Sequence, residues 1–241
     1  MDQVFHIIAL RQVKHSERHT ILTAYSREAG RVAFAIPAGR GKEAMRLRAL
    51  CMPLGLVECV GHMRAGSDVM RMSQSRSMLA MHGVLASPVK SAMALFVAEV
   101  LETVVREGGP DAVLWDFVRS SVEVLNDLPS RGSANFHLCF LYGLGRIIGI
   151  EPDTSGYARG MVFDMVDGTF RLSAPLHRHY IESRQAEAVA SLARMNYRNM
   201  HLFRMTRSER GELLEGVLRY YSLHHSSFAR LKSLEVLREL F

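Results

Sequence analysis

The chain has 241 residues, 48% hydrophobic and 22% charged, with 30 Lys and Arg against 24 Asp and Glu for a formal net charge of +6. That length suits one large domain or two small ones, and that balance belongs to a packed globular chain and not to a disordered tail. No run of 18 or more uncharged apolar residues occurs, which excludes a transmembrane helix, and the opening MDQVFHIIALRQVKH lacks the order of a secretory signal, so a cytoplasmic location without membrane contact is expected.

The first 80 residues read as short strands. VFHIIAL (4–10), HTILTAY (19–25) and RVAFAI (31–36) are rich in β-branched and aromatic residues. In the third, Val32, Phe34 and Ile36 alternate with Ala33 and Ala35, which predicts a large-residue face backed by a small one. SREAG (26–30) predicts a hairpin loop with Gly30 free to take positive φ. GLVECV (55–60) and DVMRMS (68–73) complete five strands. So short a sheet needs closure to protect its edges, which predicts a Greek-key barrel of the OB type over residues 1–80.

Beyond residue 80 the apolar period becomes helical. Ser87-Pro88 supplies an N-cap and a first-turn proline for a helix through Val105, which GGP (108–110) ends. Asp111 to Leu128 repeats the design with one apolar stripe, and Asn135 to Ile148 is apolar almost all round, as a central buried helix would be. MVFDMVDGTFRL (161–172) predicts a hairpin turning at Asp167-Gly168 in type I′. Three helices near 184–196, 208–224 and 230–240 end the chain, the second opened by a capping box at Thr206-x-x-Glu209. The expected fold is therefore α+β: an N-terminal OB barrel over 1–80, then a mainly α-helical domain over 81–241 with a small β-hairpin.

The charge is unevenly divided. Residues 1–80 hold 12 Lys and Arg against 6 Asp and Glu, whereas residues 81–241 hold 18 of each. A localised basic field favours polyanions such as nucleic acid, with a merely solvated face as the plain alternative. GRGK (39–42) is not a nucleoside-triphosphate loop, because the leading glycine and the following hydroxyl of G-x-x-x-x-G-K-[ST] are both missing. GLGRIIG (143–149) has the wrong spacing for a dinucleotide fingerprint and lies within a helix, so its glycines are expected to serve packing. His177-x-His179 and His224-His225 read as surface or core histidines and not as metal ligands. Cys51, Cys59 and Cys139 form no C-x-x-C pair and read as buried thiols. No catalytic motif stands out.

What remains is the basic set of the barrel. Arg11, Lys14 and Arg18 fall around the first inter-strand connection, Arg27 and Arg31 flank the hairpin, and Arg40, Lys42, Arg46 and Arg48 fill the next connection. Loops on a barrel can converge on one mouth. Tyr25 is the one reasonable stacking residue, so phosphate-dominated, sequence-indifferent and salt-dependent binding is expected.

LRQVKHSERHTILTAYSREAGRVAFAIPAGRGK resembles the start of the RecO family of bacterial DNA repair and recombination mediators: a strand, a basic connection with Ser16-Glu17, Ser26-Arg27-Glu28-Ala29-Gly30 at the hairpin, then a strand into a loop of glycines and bases. FHLCFLYGLGRIIGIEPD is similar to the family's central helix and LRYYSLHHSSFARLKSLEVLREL to its last two helices, so the resemblance covers essentially the whole chain. It implies a non-enzymatic mediator. Such a protein binds single- and double-stranded DNA through its OB-fold, anneals complementary strands, and works with RecR to load RecA onto DNA coated by the single-stranded-DNA-binding protein SSB. It also implies DNA contacts at the basic positions above and a cytoplasmic, nucleoid-associated location. Many members carry a four-cysteine zinc module after the central helix, but residues 150–175 contain no cysteine, so neither zinc nor another cofactor is expected. The family's pocket for the acidic SSB C-terminal tail lies on the helical domain. Near the start of the central helix this chain has Ser133-Ala134-Asn135, which leaves Arg131 and Arg146 as the nearest basic candidates. The rival readings are an RNA-binding OB protein and a helical interaction adaptor that binds no nucleic acid.

Overall fold

In a computed structural model of the chain, which describes all residues but 1, 64, 65, 106, 107, 130, 131, 226, 227, 229, 230, 232 and 241 and only the backbone of 237–240, five strands close into a barrel. They are β1 (Asp2–Lys14), β2 (His19–Ser26), β3 (Gly30–Pro37), β4 (Leu56–His62) and β5 (Val69–Ser77), joined in the order β1-β2-β3-β5-β4. The long β1 serves two partners, pairing Asp2–Ile8 with β4 and Ile7–Lys14 with β2, with a register shift between Ala9 and Arg11. The circuit closes through a parallel contact in which Ala33, Phe34 and Ala35 pair with Val69, Met70 and Arg71. Each strand thereby gains two neighbours, which removes the open edges that a five-stranded sheet would expose.

Alternation decides the inside of the barrel. Phe5, Ile7, Leu22, Phe34, Ile36, Met70 and Met72 form its core, and the rings of Phe5 and Phe34 meet edge to face at 5.8 Å. Ala33 and Ala35 face outward, as the third strand's pattern predicts. The hairpin between β2 and β3 is held by Ser26, whose Oγ accepts the N–H groups of Glu28 and Ala29 (3.0 and 3.1 Å), while Gly30 takes φ +69°. The Glu28 carboxylate accepts from His6 N–H (2.9 Å) and Ser26 Oγ–H (3.0 Å) and meets His6 Nδ1 at 2.7 Å. Partial burial opposes its ionisation, yet these hydrogen bonds hold it below the ordinary carboxylate range.

The connection after β3 differs from the sequence expectation. Lys42, Arg46 and Arg48 sit on a helix, α1 (Lys42–Leu50), and not in a loop. Only Ala44 and Leu47 of its nine residues are buried, too little apolar periodicity to betray a two-turn helix. Gln12 Nε2 donates to Cys51 O at 2.7 Å and ties the end of α1 to β1.

The chain divides into two compact units, Met1–Asp127 with Leu231–Leu237 and Leu128–Arg230 with Arg238–Phe241. The change of period near residue 80 thus marks the end of the barrel strands and not a gap in packing. Three helices, α2 (His82–Leu85), α3 (Pro88–Val104) and α4 (Ala112–Asp127), belong to the barrel's unit, and α3 lies against β1 and β2. Ser87 Oγ accepts from Lys90 N–H at 3.4 Å, the expected N-cap.

The second unit is built on α5 (Phe136–Ile147), whose Phe136, Leu138, Phe140, Leu141 and Leu144 are fully buried. A Cβ on Gly145 would lie 2.6 Å from Tyr221 Oη, so this glycine of GLGRIIG allows close helix packing. Three short strands, β6 (Val162–Asp164), β7 (Thr169–Arg171) and β8 (Tyr180–Ile181), form a sheet in the order β7-β6-β8. The hairpin falls where expected, but its turn is not type I′: Gly168 has φ +68° while Asp167 does not adopt positive φ. The buried Asp164 carboxylate explains this, since its Oδ1 accepts from the N–H groups of Val166 (2.9 Å) and Asp167 (3.3 Å) and shapes a longer turn. The remaining helices are α6 (Ser183–Leu192), α7 (Arg207–His224) and α8 (Ser233–Leu240), with the Thr206–Glu209 capping box in place at the start of α7.

Candidate nucleic-acid interface

A trough of about 690 Å³ crosses the outer wall of the barrel over β2, β3 and β5. Ile21, Ala35, Pro37 and Val69 make its floor, since the strand positions between the core residues face outward. His15, Arg18 and His19 rise on one side from the connection between β1 and β2, and Arg71 comes from β5. Ser16 sets that connection: its Oγ accepts from the N–H of Arg18 (3.3 Å) and of His19 (3.1 Å). Ala38 N–H donates to Arg18 O at 3.0 Å, which draws the segment carrying Arg40 to the same end of the barrel, and Lys42 opens α1 directly beyond it. Lys14 faces Thr20 in the β1–β2 register and so belongs to this end too, where Glu17 pairs with its Nζ at 2.8 Å.

The trough is cationic because its one acid is already engaged. Glu43 is held by Arg46 through contacts of 2.8 and 2.9 Å, and this guanidinium keeps its carboxyl below the ordinary range. Arg46 in turn donates to Ser75 O and Ser75 Oγ. Among the described residues, Arg18 and Arg71 form no ion pair and face the trough with their charge uncompensated.

The other basic positions are elsewhere. Arg27 and Arg31 are exposed at the hairpin end, across the length of β2 from Arg18, which for eight residues is roughly 23 Å. Arg11 leaves the barrel at the β1 register shift and pairs with Glu102 of α3 at 2.9 Å. Arg48 is half-buried on α1, its Nη1 3.5 Å from Ala38 O. The nine bases therefore do not share one mouth.

Tyr25 is not a stacking platform. It is 1% exposed, its ring lies 6.2 Å from that of Trp115, and its hydroxyl both donates to Asp111 O and accepts from Asp111 N–H at 3.1 Å. It does point out of the barrel, but α4 covers that face, and burial pushes its phenol above the ordinary range. Arg71 is the residue that sequence reasoning missed. Its place between inward Met70 and Met72 marks it as outward, but nothing local shows that β3 and β1–β2 residues would join it.

In the second unit, Arg131 lies outside the described residues. Arg146 is exposed at the far end of α5 and meets Glu151 at 3.4 Å. A recess of about 420 Å³ does open at the start of α5, with Met200, Phe203 and Met205 beside Arg204 and Arg210. Asn135 organises it, donating to Met200 O (2.9 Å) and Phe203 O (2.8 Å) and accepting from Arg210 Nε (3.0 Å). His177 lies 3.3 Å from Asp164, and His224 Nε2 bonds Met165 O at 2.8 Å, so both serve the small sheet. Among the described residues no group of three or more His, Cys, Asp or Glu could hold a metal ion, and no helix is long and apolar enough to cross a membrane. Asp2, His62 and Ser73 form a hydrogen-bonded row (2.6 and 2.5 Å) that ties β1, β4 and β5 together.

A closed five-stranded barrel with a cationic outer trough, continued by helices and a small sheet, defines an OB-fold protein with a helical C-terminal region. Family models described as Recombination protein O N terminal and Recombination protein O C terminal match residues 1–79 and 85–235. The chain is 37% identical over 235 residues to the DNA repair protein RecO of Bacteroides fragilis, and 34% identical over 234 residues to that of Phocaeicola vulgatus, covering 97% of each chain in both cases. It is 34% identical over 239 residues to the DNA repair protein RecO of Porphyromonas gingivalis, again over 97% of both. The chain belongs to the RecO family of DNA repair proteins.

Proposed function

We propose that the protein is a non-enzymatic recombination mediator that binds single- and double-stranded DNA on its barrel and anneals complementary strands. It then helps RecR load RecA onto SSB-coated DNA, working in the cytoplasm at the nucleoid. The trough over β2, β3 and β5 carries this reading: among the described residues Arg18 and Arg71 face it and form no ion pair, and the bond from Ala38 N–H to Arg18 O brings the segment leading to Arg40 and Lys42 to the same end of the barrel. Its floor is small and aliphatic, with no Phe, Tyr or Trp, which suits contact with a phosphate backbone and not base stacking. Neutralising phosphates lowers the repulsion between two strands and so favours their pairing. Arg27 and Arg31 are a separate contact at the hairpin end, while Arg11, Arg46 and Arg48, already engaged, contribute less. The recess beside Asn135, with apolar walls and Arg204, fits the acidic SSB tail better than Arg146 does.

Oligonucleotide affinity measured against salt tests this. R18A/R40A/K42A/R71A is expected to flatten the log–log slope by about three to four, and R27A/R31A by at most about two. A flat plot for the unsubstituted protein, or an unchanged slope in the fourfold variant, would overturn the reading. Capture of SSB with and without its acidic tail tests the recess, with R204A expected to lose the tail-dependent part.

A further inference from the structure

Residues 81–241 balance to zero charge, but the charges are not mixed. Residues 193–207, ARMNYRNMHLFRMTR, hold four arginines and one histidine and no acidic residue. The segment joins α6 to α7 and is fixed by its own hydrogen bonds. Asn196 Oδ1 accepts from the N–H of Arg198 (2.9 Å) and of Asn199 (3.2 Å), and Asn199 Nδ2 donates to Arg194 O (2.9 Å). A single 3-10 turn, Met200–Leu202, follows.

The segment sorts its side chains by polarity. Met195 and Met200 are turned inward at 6% and 1% exposure, and the ring of Tyr197 is stacked on Phe136 at 5.2 Å. Arg194, Arg198, His201, Arg204 and Arg207 are all exposed. Among the described residues Arg194, Arg198 and Arg204 form no ion pair, and Arg194 reaches only the Ser191 hydroxyl, at 3.3 Å. The five bases recur every three or four residues, and while His201 and Arg204 line the recess beside Asn135, Arg194 and Arg198 are not part of that lining. Like charges held that close repel one another, and a ligand with repeating negative charge relieves the repulsion along the whole run.

We propose that this strip is a second nucleic-acid site, on the helical unit, that takes the phosphate backbone of a second strand while the barrel trough holds the first. The proposal rests on the reading that the trough binds DNA, and it gives the complementary strand a place of its own. An acidic tail has its own place in the recess that Arg204 and His201 line with Met200, Phe203 and Met205, whereas Arg194 and Arg198 lie outside that apolar lining and offer charge alone, which suits a phosphate backbone.

The test uses the full chain, a labelled oligonucleotide and its complement, with thermal unfolding as a control for folding. R194A/R198A is expected to bind the first strand within about twofold of the unsubstituted protein yet to anneal the pair about tenfold more slowly. The trough variant R18A/R40A/K42A/R71A is expected to keep weak, salt-dependent binding that disappears when R194A/R198A is added. If the trough variant binds no DNA while the unsubstituted protein does, the strip is not a site and the barrel reading stands. If the trough variant binds as tightly as the unsubstituted protein and R194A/R198A abolishes binding, the strip stands and the barrel reading falls. If R194A/R198A weakens only an acidic SSB-tail peptide, the strip serves a protein partner and the proposal is overturned.

Discussion

His137 is fully buried on α5, and burial, with the positive Arg210 nearby as a smaller influence, brings its imidazole down to about 3 from an ordinary 6.5. The sign of the consequence follows from proton counting. Below pH 6.5 the unfolded chain takes up a proton that the folded chain refuses until about pH 3, so stability falls as the pH drops through that window. The loss is about 1.4 kcal/mol for each pH unit at most. His137→Gln, which cannot take up that proton in the unfolded chain, is expected to flatten the acid limb of stability measured by urea unfolding. Identical curves for the two proteins between pH 6 and pH 4 would show that the ring is hydrated or charged in the fold.

Single elements are joined at points where glycine is obligatory. Asn126, at the end of α4, accepts from Gly83 N–H (3.0 Å) and Val84 N–H (3.3 Å), and its carbonyl receives the buried Lys90 Nζ at 2.9 Å. One residue thus fixes α2 and α3 against α4, and a Cβ on Gly83 would lie 1.9 Å from Asn126 O. Removing the side chain and blocking the approach should differ in size. Asn126→Ala is expected to cost about 2 kcal/mol and Gly83→Ala about 3 kcal/mol or more, read from denaturant midpoints. In the second unit, Tyr221 Oη donates to Leu141 O beside Gly145. Gly145→Ala is expected to cost about 2 kcal/mol by overpacking. Because the clash is with the hydroxyl, the loss should shrink on a Tyr221→Phe background, so the pair would fail to add. Additive losses would place the strain elsewhere.

For the molecule as a whole, stability and binding should separate cleanly. Phe34 is fully buried in the barrel core, so Phe34→Ala is expected to cost about 3–5 kcal/mol and to lose DNA binding with the fold. Arg71→Glu, on the exposed wall, should change stability by no more than about 0.5 kcal/mol while weakening oligonucleotide binding at low salt. Loss of stability in the second would make Arg71 a structural residue. The barrel strands and long helices were legible because their periods of 2 and 3.6 are local properties. The short α1 and the two-residue β8 were not, having too few apolar positions to show a period. Nor was the trough, since Arg18, just before β2, and Arg71, on β5, come to line it only through the pairing of β2 with β3 and β3 with β5. Tyr25 shows the same limit in reverse: alternation points it outward, and only α4, arriving from residue 112 onward, decides that outward is not exposed.

The parallel seam between β3 and β5 also sets an order of events. β1, β2 and β3 can pair as soon as they are made, through short antiparallel turns, but Ala35 meets Arg71 only after α1 and β4 have been laid down between them. Contacts between distant parts of a chain form late, because loop closure must precede them. The trough straddles that seam. Its floor cannot be complete before β5 is in place, so a chain whose synthesis has stopped short of β5, or one opened at the seam, lacks the trough although Arg18 is already present.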